Sequence, residues 1–258
     1  MDLNLAGRVA LITGASKGIG LAVAQSLAEE GCAVHLAART QADLESARDR
    51  IVQAHGVAVT IHATDLSVSA NVLALAEAVG DIDILVNNAG AIPGGDIARI
   101  DEATWRAAWD LKVFGYVNLT RAVFARMKAR GRGVIVNVIG LAGERFDADY
   151  IAGSTGNAGL MAFTRALGGA SADHGVRVVG VNPALIATDR MTTLLKRRAQ
   201  DSFGDESRWR EFLKDLPMGR AGEPEEVAAM VTFLASDRAA YISGIIVTID
   251  AGVSARAG

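Results

Sequence analysis

The sequence predicts an α/β fold, a doubly wound parallel sheet with helices on both faces. Three observations predict it. Short apolar runs alternate with longer helical patterns from end to end, which implies β-α-β units joined by right-handed crossovers. The first run feeds a glycine-rich turn directly into a helical pattern. Hydrophobic residues make up 50% of the 258 positions but aromatics only 5%. The core is therefore mostly Ala, Val, Leu and Ile, as suits strands buried on both faces.

In chain order, the apolar runs predict strands at Val9–Thr13, Ala33–Ala38, Val57–Ala63, Ile84–Asn87, Val134–Ile139, Val176–Val181 and Ile245–Ile249. The helical patterns predict helices at Gly18–Glu30, Gln41–Ala54, Ala70–Val79, Thr104–Arg130, Gly153–His174, Thr192–Phe203, Glu206–Asp215 and Glu223–Ala235. No repeat or linker divides the chain, so residues 1–258 are read as a single domain. The rhythm breaks at 189–217, where two amphipathic helices precede the last strand. That segment is the expected substrate lid. Its apolar positions (Met191, Leu194, Leu195, Phe203, Trp209, Phe212 and Leu213) are expected to cover the core. Arg190, Lys196, Arg197 and Arg198 are expected to form a solvated face.

A net charge of -3 and a pI near 5.8 leave no basic footprint for nucleic acid. The single cysteine, Cys32, excludes an internal disulfide framework and fits a reducing compartment. No apolar run approaches the roughly 18 residues of a membrane span, and no signal pattern opens the chain. A soluble, cytoplasmic protein with a small-molecule substrate is expected. His35, His55, His62 and His174 show no metal-ligand spacing, and no metal site is assigned.

The turn from Gly14 through Ser16, Lys17, Gly18 and Ile19 to Gly20 joins the first strand to a helix N-terminus. Its unpaired N–H groups and positive dipole end suit a dinucleotide pyrophosphate, which makes the chain a dinucleotide-binding domain. Arg39 ends the second strand where a carboxylate would hold a ribose 2′-hydroxyl. A guanidinium there suits a 2′-phosphate instead, and Lys17 adds a second cation. Both favour NADP(H) over NAD(H). Asp65, followed by Leu66, ends the third strand. Its carboxylate suits an adenine amino group, or it caps the next helix. Asn87-Asn88-Ala89-Gly90 ends the fourth strand at the carboxyl edge, where open α/β sheets bind ligands.

Thr13-Gly14-x3-Gly18-x-Gly20, the run Asn87 to Gly90, Pro217 to Val227, Tyr241-Ile-Ser-Gly244 and Asp250-Ala-Gly252 together resemble the short-chain dehydrogenase/reductase family, in its small single-domain branch. The resemblance covers essentially the whole chain. It implies a Rossmann-type sheet of seven strands in the order 3-2-1-4-5-6-7 and a nicotinamide cofactor. It also implies a homo-oligomer, a dimer or tetramer built on the fourth and fifth long helices. Pro183 to Thr188 resembles the family's loop in which the Ile186 backbone and Thr188 hydroxyl meet the cofactor.

The same resemblance implies a reaction centre of Asn, Ser, Tyr and Lys. Position by position, those places hold Lys112, Gly140, Gly153 and Asn157. Gly140 and Gly153 stand thirteen residues apart, the usual separation of the family's Ser and Tyr. All four catalytic side chains are thus replaced. A gapped placement makes Tyr150 the acid, but its fourth neighbour is then Ser154 rather than Lys.

The residues left to do chemistry are Tyr150, Lys112 and Ser154. Two missing side chains at 140 and 153 open room for the Tyr150 phenol. A buried Lys112 could donate a proton or act on Tyr150, unless it pairs with Asp110, Asp147 or Asp149. Ser154 and Thr155 offer hydroxyls to a substrate. Asn157 can still bond ribose hydroxyls. The leading expectation is an NADP(H)-dependent oxidoreductase of carbonyls or alcohols with a relocated proton donor. The second is an inactive NADP(H)-binding sensor or partner subunit. A lyase or dehalogenase on the same fold ranks last.

Overall fold

The computed structural model describes residues 1–256. Seven strands form one sheet: β1 (Val9–Thr13), β2 (Ala33–Ala38), β3 (Val59–Ala63), β4 (Ile84–Asn87), β5 (Gly133–Val138), β6 (Val176–Pro183) and β7 (Ile246–Ile249). Their spatial order is β3-β2-β1-β4-β5-β6-β7, the order expected, and every pairing is parallel.

Helices α1 (Gly18–Glu29), α2 (Gln41–His55), α3 (Ser69–Val79), α4 (Glu102–Trp109), α5 (Gly115–Arg130), α6 (Ile151–Ser171), α7 (Asp189–Phe203) and α8 (Pro224–Ala235) alternate with the strands. Successive strand residues face opposite sides of the sheet, so each strand feeds two cores. Ile12, Val34, Val136 and Val179 meet Val23 and Leu27 of α1 and Val227 and Val231 of α8. Leu11, Leu85, Ile135 and Val178 meet Leu75 of α3 and Leu119, Val123 and Met127 of α5. Each such Leu or Val contributes about 1.5–3 kcal/mol by leaving water.

A buried polar ladder holds α5 and α6 to the carboxyl end of the sheet. Asn87 Nδ2 donates to Asn137 Oδ1 at 2.9 Å and to Thr120 Oγ1 at 3.0 Å. Asn137 Nδ2 donates in turn to Thr164 Oγ1 at 2.9 Å.

Two helix expectations need correction. The helix expected over Thr104–Arg130 is interrupted by a π turn at Asp110–Phe114. Where it closes, Gly115 passes the Leu66 carbonyl so tightly that a Cβ would lie 3.2 Å from that oxygen. The widened turn is how the chain makes that passage. The helix expected over Glu206–Asp215 is a 3-10 helix at Glu206–Leu213 with no buried residue. Its charged side chains make i,i+3 contacts such as Arg208 to Glu211 at 2.7 Å, while Trp209, Phe212 and Leu213 are only partly buried. The expected lid stripe does cover a core, with Met191 and Leu195 packed among Leu185, Trp209, Phe212 and Leu213.

Candidate functional site

The carboxyl ends of β1 and β4 are tied by a compact knot. Thr13 Oγ1 accepts from the backbone N–H groups of Asn88 (2.9 Å) and Ala89 (3.0 Å). Asn88 Nδ2 donates back to the carbonyls of Thr13 (3.0 Å) and Gly14 (3.3 Å). The Asn88 side chain is therefore structural, and what this stretch offers a ligand is backbone. Gly14 (φ +65°) and Gly18 (φ +58°) take left-handed conformations, and a Cβ on Gly20 would run into the Gly14 carbonyl and the Asn88 amide. Lys17 is the N-cap residue of α1 and supplies no side-chain cap. The first-turn N–H groups thus remain for an anion, and the turn fits a dinucleotide pyrophosphate.

Around this turn stand the other expected cofactor residues. Ser16 is half-buried, Ile19 packs on the core, and Lys17 and Arg39 are exposed. Asp65 is exposed too, and its carboxylate takes the Ser67 N–H (3.0 Å) and hydroxyl (2.8 Å). Those two bonds, with a smaller contribution from the Arg39 charge, hold its carboxyl below the usual carboxylate range. Leu66 is buried. Opposite, Thr188 lies against the glycine turn, its methyl 3.2 Å from where a Cβ of Gly18 would be. The Thr188 hydroxyl caps α7 by accepting the Met191 N–H at 3.3 Å and also donates to the Ile186 carbonyl. Ile186 itself is buried and bridges to Gly222.

Further along the same edge, Tyr150 precedes the first turn of α6, and its ring fills the volume that a Cβ on Gly153 would need. Asn157 stands one turn on. Its Nδ2 donates to the Gly140 carbonyl at 3.4 Å, and its buried Oδ1 has no partner among the described residues. A donor-bearing ligand such as a ribose would satisfy it. Ser154 is occupied: its hydroxyl accepts the Asp147 N–H (3.0 Å) and faces the Asp147 carbonyl (3.2 Å), pinning the 144–149 loop. Thr155 turns back to the Ile151 carbonyl at 2.9 Å.

Lys112 lies in the π turn. Its ammonium makes no ion pair with Asp110, Asp147 or Asp149 and instead donates to the Ile139 carbonyl at 2.5 Å. Burial, with help from the Arg190 charge, pushes its pKa down to about 7. Tyr116, one turn later, donates to the Val138 carbonyl at 2.9 Å.

Arg190 is exposed, as expected of a solvated face, but its guanidinium is also engaged. Its guanidinium reaches back from the first turn of α7 and donates to the carbonyls of Gly90 (3.0 Å) and Ile92 (2.7 Å) and to the Tyr150 hydroxyl (3.3 Å). The two loop carbonyls are spare acceptors at the sheet edge, and a guanidinium fork can satisfy both. The cation bonded to the phenol is therefore Arg190. Burial raises the Tyr150 pKa, and Arg190 opposes that rise.

His35 and His62 form a second polar pair that their spacing did not announce. They sit diagonally on paired strands, with Nδ1 of one 2.9 Å from Nε2 of the other and the rings stacked at 5.2 Å.

Against this geometry, the family model for short chain dehydrogenases matches residues 8–199. The chain belongs to the short-chain dehydrogenase family. Among its relatives in that family, galactitol 2-dehydrogenase (L-tagatose-forming) of Cereibacter sphaeroides is 35% identical over 254 residues, covering 96% of each chain. A 3-oxoacyl-[acyl-carrier-protein] reductase of Vibrio cholerae is 35% identical over 97% of this chain and 99% of its own. L-sorbose reductase of Gluconobacter frateurii, solved with NADPH and L-sorbose, superposes with a TM-score of 0.92 at 33% identity, over 100% of both chains. These likenesses place the chain among the oxidoreductases of the short-chain dehydrogenase family.

Proposed function

We propose that the chain is an NADP(H)-dependent oxidoreductase of carbonyl or alcohol substrates in which Tyr150, displaced from the family's usual tyrosine position at Gly153, is the proton donor. The observation that carries this reading is the Tyr150 ring standing in the space left by Gly153. The phenol thus enters the reaction centre from one helical turn earlier. Its raised pKa keeps it protonated near neutrality, the state a donor to a carbonyl oxygen needs.

The glycine turn, the α1 N-terminus and the Ala89-Gly90 backbone would hold the dinucleotide. Arg39 and Lys17 would take the 2′-phosphate, Asp65 and Leu66 the adenine side, Asn157 the ribose, and Ile186 and Thr188 the carboxamide. NADPH bound there supplies hydride to a carbonyl carbon. This chain contributes orientation and the proton. Lys112 backs Tyr150 as a second titrating group, and Ser154 positions the loop that borders the mouth. Segment 189–217 serves as the lid, with Arg190 its attachment. A dimer or tetramer in the cytoplasm completes the reading. Among the described residues no helix is long and apolar enough to cross a membrane.

The test is NADPH oxidation followed by absorbance against a panel of aldehydes, ketones and quinones. Turnover should appear, and Tyr150→Phe should lower kcat by about 100-fold, the usual worth of a general acid. Full activity in Tyr150→Phe would refute the assignment. One observation favours the second reading, an NADP(H)-binding sensor or partner subunit: Ser154 and Lys112 are both already bonded to backbone. Tight NADPH binding without turnover on the whole panel would decide for it.

A further inference from the structure

Two cations converge on one glycine at the reaction centre, and no carboxylate answers either. The methylenes of Lys112 press on Gly90, with Cδ 2.8 Å from where a Cβ would stand. Arg190 donates to the carbonyl of that same glycine at 3.0 Å. Every hydrogen-bond partner of the pair is neutral: the carbonyls of Gly90, Ile92 and Ile139 and the Tyr150 hydroxyl. Among the described residues neither Arg190 nor Lys112 forms an ion pair. Asp189, beside Arg190 in sequence, and Asp147, in the loop before Tyr150, face elsewhere. Asp189 lines the cleft beside Gly18, Leu21 and Pro224, and Asp147 accepts the Asp149 N–H. Like charges without a counter-ion repel, and a bound anion removes that penalty. Donors remain for it, since an ammonium carries three N–H groups and a guanidinium five.

We propose that Arg190 and Lys112 form an anion subsite beside the proton donor, and that the substrate is a carbonyl compound bearing a carboxylate: a short oxo acid, or the hydroxy acid in the reverse direction. This rests on the oxidoreductase reading and names its substrate class. With its carboxylate on the two cations, a short oxo acid can lay its carbonyl oxygen by the Tyr150 hydroxyl, which shares the same guanidinium. The balance is oxo acid, NADPH and one proton giving hydroxy acid and NADP+. The proton reaches the carbonyl oxygen from Tyr150, which solvent then reprotonates.

The test is calorimetric titration of malonate, a carboxylate that cannot be reduced, into protein saturated with NADPH. Wild type should bind it and take up protons near pH 7.5 as Lys112 becomes charged. Arg190→Met and Lys112→Met should each weaken binding about tenfold, the loss expected for one charged hydrogen-bond donor to a carboxylate. Arg197→Met, exposed on the same helix, should bind as wild type. Arg190→Lys and Lys112→Arg keep the charge and should retain part of the affinity, which keeps the test valid if a methionine variant does not fold. In turnover, acetoacetate should be preferred over its methyl ester, and Arg190→Met should erase the preference. Absence of malonate binding, equal affinity in the variants, or displacement of malonate by NADPH would overturn the proposal; displacement would assign the cations to the cofactor phosphates. Malonate binding that the variants abolish, with no turnover of any carbonyl, would uphold the subsite and reject the oxidoreductase reading.

Discussion

The ring of Tyr150 occupies the place of the missing Gly153 side chain. The two positions are mutually exclusive, because a Cβ at 153 and the phenol at its present site cannot coexist.

Gly153→Ala should therefore act mainly on Tyr150. Alanine gains about 1 kcal/mol of helix propensity over glycine, against an overpacking cost of about 1–3 kcal/mol. Thermal unfolding should shift by only a few degrees while kcat falls about as far as in Tyr150→Phe. Paired melting and rate measurements check this. Retained activity would show that the phenol position is irrelevant to turnover.

Lys112 should make stability depend on pH on the alkaline side. Its folded pKa, about 7, lies below the ordinary 10.5. Between those values the unfolded chain holds the extra proton, so stability rises with pH from about 7 towards about 10. Urea unfolding across that range should show the rise in wild type and lose it in Lys112→Met.

The His35–His62 pair should act on the acid side. Burial lowers both values from 6.5, for His62 with the charge of His35 adding to it. The neutral forms belong to the folded state, so stability is full above 6.5 and falls as pH drops through the lowered folded values. Denaturation at pH 7.5 and 5.5 should show the loss, and His62→Leu should reduce it.

Arg39→Ala should weaken NADPH binding by about 10- to 100-fold, the worth of a charged bond to phosphate, and leave NADH nearly unchanged. Fluorescence titration with both nucleotides checks the difference. An equal loss for both would place Arg39 outside the 2′-phosphate site.

The sheet was legible because parallel strands buried on both faces read as plain apolar runs, and its order followed from the family resemblance. Local geometry was less so. The π turn depends on Gly115 meeting the Leu66 carbonyl, a contact between residues 49 positions apart that no helical pattern encodes. Arg190 read as one more charge on a basic helix. Only the tertiary placement of α7 turns it towards the carbonyls of Gly90 and Ile92. The histidine pair needs the register of β2 on β3, which spacing alone does not supply. For the candidate site, the identity of the cation beside Tyr150 was not readable from the sequence.

The Thr13–Asn88 knot has a consequence for kinetics. Because it stitches the glycine turn to the end of β4 before any nucleotide arrives, the ordering entropy of the turn is spent during folding rather than at binding. Nucleotide capture should then proceed in a single fast phase, without a slow rearrangement step. Amide exchange at Gly14 and Ala89 should be slow with or without ligand. Loosening the knot by Asn88→Ala would convert a rigid receptor into one that must first select its closed form.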